Sequence, residues 1–97
     1  MTVYVLAQLR FRNIDAYRLY KANFSAVFAK FGGKVIVADE SPKVIEGEWA
    51  GDKVVLPQFA DEPSAQRFLD APECQEIAKD RVTGADATVL MLSGYPG

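Results

Sequence analysis

Apolar and polar side chains alternate over residues 2–11, which predicts a β-strand. One face of this strand is wholly apolar and holds Val3, Val5, Ala7, Leu9 and Phe11. The opposite face is only half polar, with Tyr4, Leu6, Gln8 and Arg10. Because alternate residues of a strand share a face, this pattern predicts that other parts of the structure cover both sides of the sheet.

Apolar residues then recur at steps of three and four, which is typical of an amphipathic helix. The set is Ile14, Tyr17, Tyr20, Phe24, Val27, Phe28 and Phe31. Asn13 is placed to cap the first turn, where Asp15 also suits the positive end of the helix dipole. Gly32-Gly33 supplies a left-handed stop, so the spacing predicts a helix over residues 14–31.

Two β-branched runs predict the next strands, over residues 34–40 and 53–59. The turn residues Ser41-Pro42 close the first of them, and residues 44–49 are expected to be extended but irregular. Pro57 has no N–H to donate to a neighbouring strand. It therefore predicts a sheet edge, an unpaired position or a bulge.

A second helical region follows, and a proline divides it. Asp61 can cap the first part, whereas Pro72 interrupts the helix and starts a further one over residues 73–83. Residues 87–92 are apolar apart from Thr88, which predicts a last strand that is covered on both faces.

The order β-α-β-β-α-β is that of the ferredoxin-like unit, an α+β fold in which helices cover one face of a four-stranded antiparallel sheet. We expect a single ferredoxin-like domain over residues 1–97. Its other sheet face would be bare in a lone protomer, and the apolar residues there favour packing on a second copy. The sequence thus predicts a homodimer with two facing sheets, which is a dimeric α/β barrel.

The composition excludes several kinds of site. The 97 residues contain no His and a single Cys, Cys74. A Ser-His-Asp or Cys-His arrangement, a His-based metal site and a disulfide framework are therefore excluded. No Gly-rich phosphate loop occurs either. We expect neither a metal nor a cofactor, so acid–base work would fall to Glu, Tyr or Lys.

Charge narrows the choice of partner. The net charge of −2 argues against nucleic acid. Residues 1–38 carry six basic side chains against one acidic, and residues 39–97 carry five against twelve. This asymmetry favours either attraction of an anion to the first half or a solvated helix face. The opening apolar run reaches Arg10 long before ~18 residues and has no basic segment ahead of it. We therefore expect a cytoplasmic protein with no membrane partner.

Arg81 is a candidate binding residue, since it follows Ile77 by about one turn on the side of its helix that should be buried. An inward arginine must meet an anion. It would bind the carboxylate or phosphate of a ligand, or pair with Glu46 or Glu73 inside the molecule.

Two further pairs are candidates. Tyr17 and Tyr20 lie about one helical turn apart, and they either line a cavity or are core residues with a solvated tip. Glu46 and Glu48 alternate on one side of an extended segment, and Trp49 faces the other way. A carboxylate beside an indole in a pocket can act as a general acid or base. The alternatives are glutamates that face solvent and a tryptophan that serves packing alone.

Several runs carry a resemblance over nearly the whole chain. They are Ala16-Tyr17 with Tyr20, Phe31-Gly32-Gly33-Lys34, VIEGEW at 44–49, Pro57-Gln58-Phe59, and Ala71-Pro72-Glu73-Cys74-Gln75 with Arg81. In this order and spacing they resemble the domain of unknown function 1330 family. The resemblance implies a dimeric α/β barrel built from the ferredoxin-like unit, without an established activity. Cys74 stands where that family usually has Tyr, and Phe68-Leu69 replaces a typical aromatic pair.

Two hypotheses about function follow. In the first, a small anionic or aromatic metabolite binds between the helices and the sheet, in a pocket formed by Tyr17, Tyr20, Glu46, Trp49 and Arg81. In the second, the chain is a non-catalytic assembly or regulatory module without a small-molecule site, which a filled interior would favour. Other dimeric α/β barrels include cofactor-free monooxygenases, but fold analogy is a weak basis for assigning a reaction. The sequence does not decide between an enzyme and a binding protein.

Overall fold

The computed structural model describes residues 1–95, which follow the predicted β-α-β-β-α-β order. The elements are β1 (Val3–Phe11), α1 (Ile14–Phe28) with a 3₁₀ turn (Ala29–Phe31), β2 (Lys34–Asp39), β3 (Lys53–Phe59), α2 (Glu62–Asp70), α3 (Pro72–Gly84) and β4 (Ala85–Ser93). Their ends agree with the predicted ends to within one or two residues, apart from the 3₁₀ turn that replaces the last turn of α1. None of the helices in this part of the chain is long and apolar enough to cross a membrane.

The four strands within the described residues form one antiparallel sheet in the order β2-β3-β1-β4. β1 is an inner strand, in which Val3 pairs with Phe59 of β3 and with Ser93 of β4. The helices pack on the sheet face that carries Val3, Val5 and Phe59. This arrangement is the predicted ferredoxin-like α+β fold.

Side chains cap two of the helices, as the sequence predicts. Asn13 Oδ1 accepts a hydrogen bond from the Ala16 N–H at 3.2 Å, and Asp61 Oδ1 accepts one from the Ser64 N–H at 2.8 Å. Each bond satisfies a backbone donor that has no partner within its own helix. After the 3₁₀ turn, Gly32 takes a left-handed conformation with φ 68°, which ends the helical region.

The second helical region is divided at Pro72, as predicted. Ala71 has an extended backbone with φ −60° and ψ 133°, and it ends α2 and begins α3. The ring of a proline disfavours the α conformation in the residue before it, which accounts for the break. Two short helices therefore take the place of one long helix.

Pro57 stands beside an irregularity in the sheet. The pairing between β2 and β3 shifts register between Val35 and Val37, and Val35 is the partner of Pro57. Because Pro57 has no N–H, β3 does not continue a regular ladder there. Of the alternatives that the sequence allowed, the structure has the bulge.

The loop between β2 and β3 contains no helix or strand over residues 40–52, so residues 44–49 are irregular as expected, but bends at 45–47 interrupt the extended backbone that was predicted there. Gly47 has φ 85° and lets this loop reverse direction. The loop brings the chain from the edge strand back to the inner strand β3.

Aromatic side chains form the core at one end of the sheet. Phe28 of α1, Phe59 of β3 and Phe68 of α2 have ring centroids 5.3 to 5.6 Å apart, and each ring is almost fully buried. Two of these contacts are edge-to-face, which aromatic pairs prefer. A second, smaller cluster lies toward the other end and consists of Leu9, Tyr17 and Ala85.

The sheet face away from the helices is apolar along β1 and β4. Tyr4 pairs with Leu92 and Leu6 pairs with Leu90, and partners across an antiparallel pair lie on the same face. Leu90 is 46% exposed and Leu92 is 38% exposed. One protomer therefore leaves a strip of large apolar side chains in water, and this strip is called the open face below.

Gly84 lies where α3 approaches the start of α1 very closely. Its carbonyl oxygen accepts hydrogen bonds from the N–H groups of Arg12 and Asn13 at 2.8 and 3.0 Å. A Cβ atom on Gly84 would lie 2.5 Å from the backbone nitrogen of Tyr17. Real Cβ contacts are longer than this, and a backbone atom cannot rotate away. The absence of a side chain on Gly84 thus permits the spacing between the two helices.

We predict that Gly84→Ala destabilises the protein by roughly 1–3 kcal/mol, the usual cost of overpacking. For a domain of this size the melting temperature would fall by about 4–8 °C per kcal/mol. Thr83→Ala is the matched control, because Thr83 is the exposed neighbour in the same helix. In an open helix position alanine is more stable than glycine. A Gly84→Ala protein that melts at or above the wild-type temperature would contradict the close approach.

Candidate functional site

A cavity of about 290 Å³ lies between the helix layer and the sheet. Its walls come from α1, α3 and the helix-facing side of the sheet. Three of its positions that face across the gap are small residues: Ala7 of β1, Ala38 of β2 and Ala78 of α3. Protein interiors are normally close-packed, so side chains this short leave a space where the layers are held apart.

Tyr17 and Tyr20 both line the cavity, with ring centroids 5.8 Å apart. Tyr17 is 4% exposed and Tyr20 is half-buried. Burial, with a smaller contribution from the charge of Glu40, raises the pKa of Tyr17 to about 12. Burial also raises the pKa of Tyr20. Both phenols are therefore neutral at pH 7 and can donate a hydrogen bond into the cavity.

Arg81 reaches the cavity from α3, on the buried side that the sequence predicts. Its guanidinium carbon lies 5.8 Å from the centroid of the Tyr20 ring. Its Nε is buried, and within residues 1–95 it has no hydrogen-bond partner. Glu73, one of the expected partners, instead forms an ion pair with Lys30 at 2.5 Å. A buried arginine N–H without an acceptor is an unsatisfied hydrogen-bond donor.

Lys53 is a cavity residue that the sequence analysis did not single out. It pairs with Leu9 across β1 and β3, which directs its side chain to the helix-facing side of the sheet. It is 3% exposed, and its Nζ lies 5.1 Å from the centroid of the Tyr17 ring. Among the described residues, no carboxylate lies within 4.0 Å of this Nζ. Burial lowers the pKa of the Lys53 amine, and the charge of Lys21 acts in the same direction.

The signal for Lys53 was present in the alternation of its strand. Positions 53, 55, 57 and 59 share a face, and position 59 carries one of the most buried side chains of the protein. A lysine at the first residue of a strand is easily interpreted as a solvent-exposed residue at the strand end. The period of two places Lys53 on the same side as Phe59, beneath the helices.

Cys74, at the start of α3, also lines the cavity and is buried. Burial raises the pKa of its thiol, although the charge of Arg81 opposes this effect. The thiolate is the reactive form of cysteine, so this environment suits a packing role.

The structure brings together three of the five candidate residues, Tyr17, Tyr20 and Arg81, in one cavity. Trp49 is not among the side chains that line it. Trp49 borders a separate concavity together with Glu48, Gln8 and Arg10. Glu46 is exposed in the loop between β2 and β3.

The cavity has a definite chemistry: an apolar wall, two phenols and three cations, Lys21, Lys53 and Arg81, none with a carboxylate partner in the described part of the chain. Burying a cation is costly unless an anion compensates it. Residues 1–95 contain no group of three or more Cys, Asp or Glu side chains that could hold a metal ion. An organic anion with an apolar body would complement both the apolar wall and the cations of the cavity.

Sequence comparison identifies one family. The sequence model of the family described as Domain of unknown function (DUF1330) matches residues 2–95. A comparison with curated proteins finds no match.

Solved structures share the fold at low identity. A protein of unknown function from Rhodopseudomonas palustris is 19% identical with a TM-score of 0.83, over 99% of this chain and 84% of that one. A dimeric ferredoxin-like protein of unknown function from Jannaschia sp. CCS1 is 13% identical with a TM-score of 0.83, over 97% and 100% of the two chains. SnoaB, a cofactor-independent oxygenase from Streptomyces nogalater, is 12% identical with a TM-score of 0.74, over 99% and 95%. These likenesses establish the ferredoxin-like fold.

The buried phenol of Tyr17 gives a pH-dependent prediction. Between pH 10 and about 12 the unfolded chain ionises this tyrosine while the folded protein keeps it neutral. The unfolded state then binds fewer protons, so the free energy of unfolding falls as the pH rises through this window. We expect urea titrations to show that the free energy of unfolding falls more steeply with pH for wild type than for Tyr17→Phe. The difference between the two proteins at pH 7 is the reference. Parallel curves for the two proteins would mean that Tyr17 ionises in the folded state as freely as in water.

Proposed function

Since the chain belongs to the family Domain of unknown function (DUF1330), we propose a function from the cavity itself: each protomer binds a small organic anion with an aromatic or other apolar body. The observation that carries this proposal is the presence of two cations, the buried Lys53 and the half-buried Arg81, in a mostly apolar cavity, without carboxylate partners in residues 1–95. A carboxylate would satisfy the Arg81 N–H and offset the cost of burying its charge.

The size and lining of the cavity support the aromatic part of the proposal. An apolar cavity of ~150 Å³ is large enough to bind benzene. The volume of about 290 Å³ therefore suits one substituted ring. Tyr17, Tyr20 and Phe24 present ring faces or edges to such a ligand. The alternative, an assembly module with a filled interior, has less support because of this cavity.

We further propose that the protein is a homodimer, joined through the open face. The strip along β1 and β4, with Leu90 and Leu92 partly exposed, would be covered by the same strip of a second copy. The dimeric ferredoxin-like protein from Jannaschia is consistent with this assembly. The cavity lies on the other side of the sheet, so dimerisation leaves it intact.

Ligand binding is tested by thermal melts with benzoate, 4-hydroxybenzoate and phenylacetate, each against its uncharged amide. We expect the carboxylates to raise the melting temperature and the amides to have little effect, because a ligand stabilises only through its affinity for the folded state. At 100 times the dissociation constant the gain is about 2.7 kcal/mol. Arg81→Ala should remove this response, whereas Arg67→Ala, an exposed arginine of α2, should keep it.

The same melts separate a binding role of Arg81 from a structural one. If Arg81 neutralised a buried carboxylate, its removal would cost ~3–5 kcal/mol. No carboxylate of the described residues lies within 4.0 Å of it. We therefore expect ligand-free Arg81→Ala to melt close to wild type. Equal responses to acids and amides in wild type would refute the proposed function.

Dimerisation is tested by light scattering at micromolar concentration. We expect twice the chain mass of 10.7 kDa for wild type and the chain mass itself for Leu90→Asp, which places a charge in an interface of more than ~1,000 Å². Leu19→Asp is the matched control, since Leu19 is 53% exposed on α1, outside the open face. A monomeric wild type, or a dimer that survives Leu90→Asp, would contradict the assembly through this face.

A further inference from the structure

Lys53 is a feature of the cavity that anion binding alone does not explain. Lysines are almost never fully buried unless they are paired. This one is 3% exposed and makes no ion pair with the carboxylates of residues 1–95. Its neighbour is the ring of Tyr17, 5.1 Å from Nζ. The amine thus ends at the wall of a cavity instead of reaching solvent or a counter-ion.

The surroundings of Lys53 lower the pKa of its amine. Burial acts first, and the positive charges of Lys21 and Arg18 add to it, whereas Glu40 opposes them. A neutral amine carries a lone pair and is a nucleophile. Lysines that are desolvated in an apolar pocket near other cations form imines with carbonyl compounds.

We propose that Lys53 forms a reversible imine with a small carbonyl compound whose carboxylate is bound by Arg81. This inference rests on the proposed function and narrows its ligand to an aldehyde acid or a keto acid. The two ends of the ligand would be recognised separately. Lys53 lies against Tyr17 and Arg81 lies against Tyr20, and the two tyrosine rings are 5.8 Å apart.

The reaction needs no reagent beyond the two partners. The Nζ lone pair attacks the carbonyl carbon, and the oxygen takes up a proton to give a carbinolamine. The nitrogen gives up both of its protons in turn, one to balance the proton taken up by the oxygen and one to the hydroxyl group, which then leaves as water, and a C=N bond replaces the C=O bond. Nothing is oxidised or reduced, and hydrolysis returns both partners. Tyr17 is neutral at pH 7, and the centroid of its ring lies 5.1 Å from the amine.

The test is reductive trapping on the full chain. Wild type is incubated at pH 7 with 3- or 4-formylbenzoate and cyanoborohydride, which reduces an imine to a stable secondary amine. Intact mass spectrometry counts the adducts and peptide mapping locates them. We expect one adduct per chain at Lys53, formed at least tenfold faster than at any other lysine. Because peptide mapping locates the adduct in the wild-type protein, this result requires no variant.

Variants then test separately the reaction of the carbonyl group with Lys53 and the binding of the carboxylate by Arg81. Lys53→Arg keeps the charge but has no nucleophilic amine, so it should lose the fast adduct, whereas Lys43→Arg, in the exposed loop between β2 and β3, should label as wild type does. Arg81→Ala should slow labelling by formylbenzoate at least tenfold and change labelling by uncharged benzaldehyde much less. Melting curves establish that each variant is folded.

The outcomes separate this inference from the function it rests on. If benzoate stabilises the protein but the label spreads over exposed lysines, the imine is refuted and anion binding stands. If Lys53 labels rapidly with benzaldehyde and formylbenzoate alike, and benzoate does not bind, the anion site is refuted. The proposal that the ligand is a carbonyl acid is then refuted as well. Rapid labelling of Lys53 that depends on both the carboxylate and Arg81 supports the proposal in full.

Discussion

The gap between the helix layer and the sheet is fixed by large aromatic side chains, and the rest of the interior depends on this spacing. Phe28, Phe59 and Phe68 fill the gap at one end, with their rings in mutual contact. Farther along, the small side chains of Ala38 of β2 and Ala78 of α3 line the cavity. Rigid rings at one end and methyl groups at the other are enough to create a cavity without distorting any backbone element.

What lines this space is unusual for a small core. An apolar side chain at the position of Lys53 would pack without any cost of desolvation, and the same holds for Arg81. The buried Lys53 and the half-buried Arg81 lower the stability of this small domain. Sites that are costly to fold are often the sites that bind or react, because the compensating charge comes from a ligand. The two tyrosines between these cations moderate the cost, since their rings attract positive charge.

The sequence predicts the fold well because a local pattern of residues determines each element. These patterns are the alternation in β1, the three- and four-residue spacing in α1, and the break at Pro72. The site is predicted only in part. Tyr17, Tyr20 and Arg81 lie on faces that helical spacing identifies as buried. Lys53 was overlooked because its burial depends on the pairing of β3 with β1. The position of Trp49 follows from the path of an irregular loop, which no periodicity encodes.

The joint at Gly84 also bears on how a ligand would enter. There α3 passes into β4 without a loop, and one carbonyl oxygen holds the N–H groups of Arg12 and Asn13. The start of α1, the end of α3 and the start of β4 are thereby tied at one point, three residues beyond Arg81. Such a joint does not open without breaking the fold, so the guanidinium is held on the rigid side. The cavity is also bordered by Ser25 of α1 and by the wholly exposed edge strand β2, and local fluctuations of such an edge, unlike those of the Gly84 joint, would let the proposed ligand in.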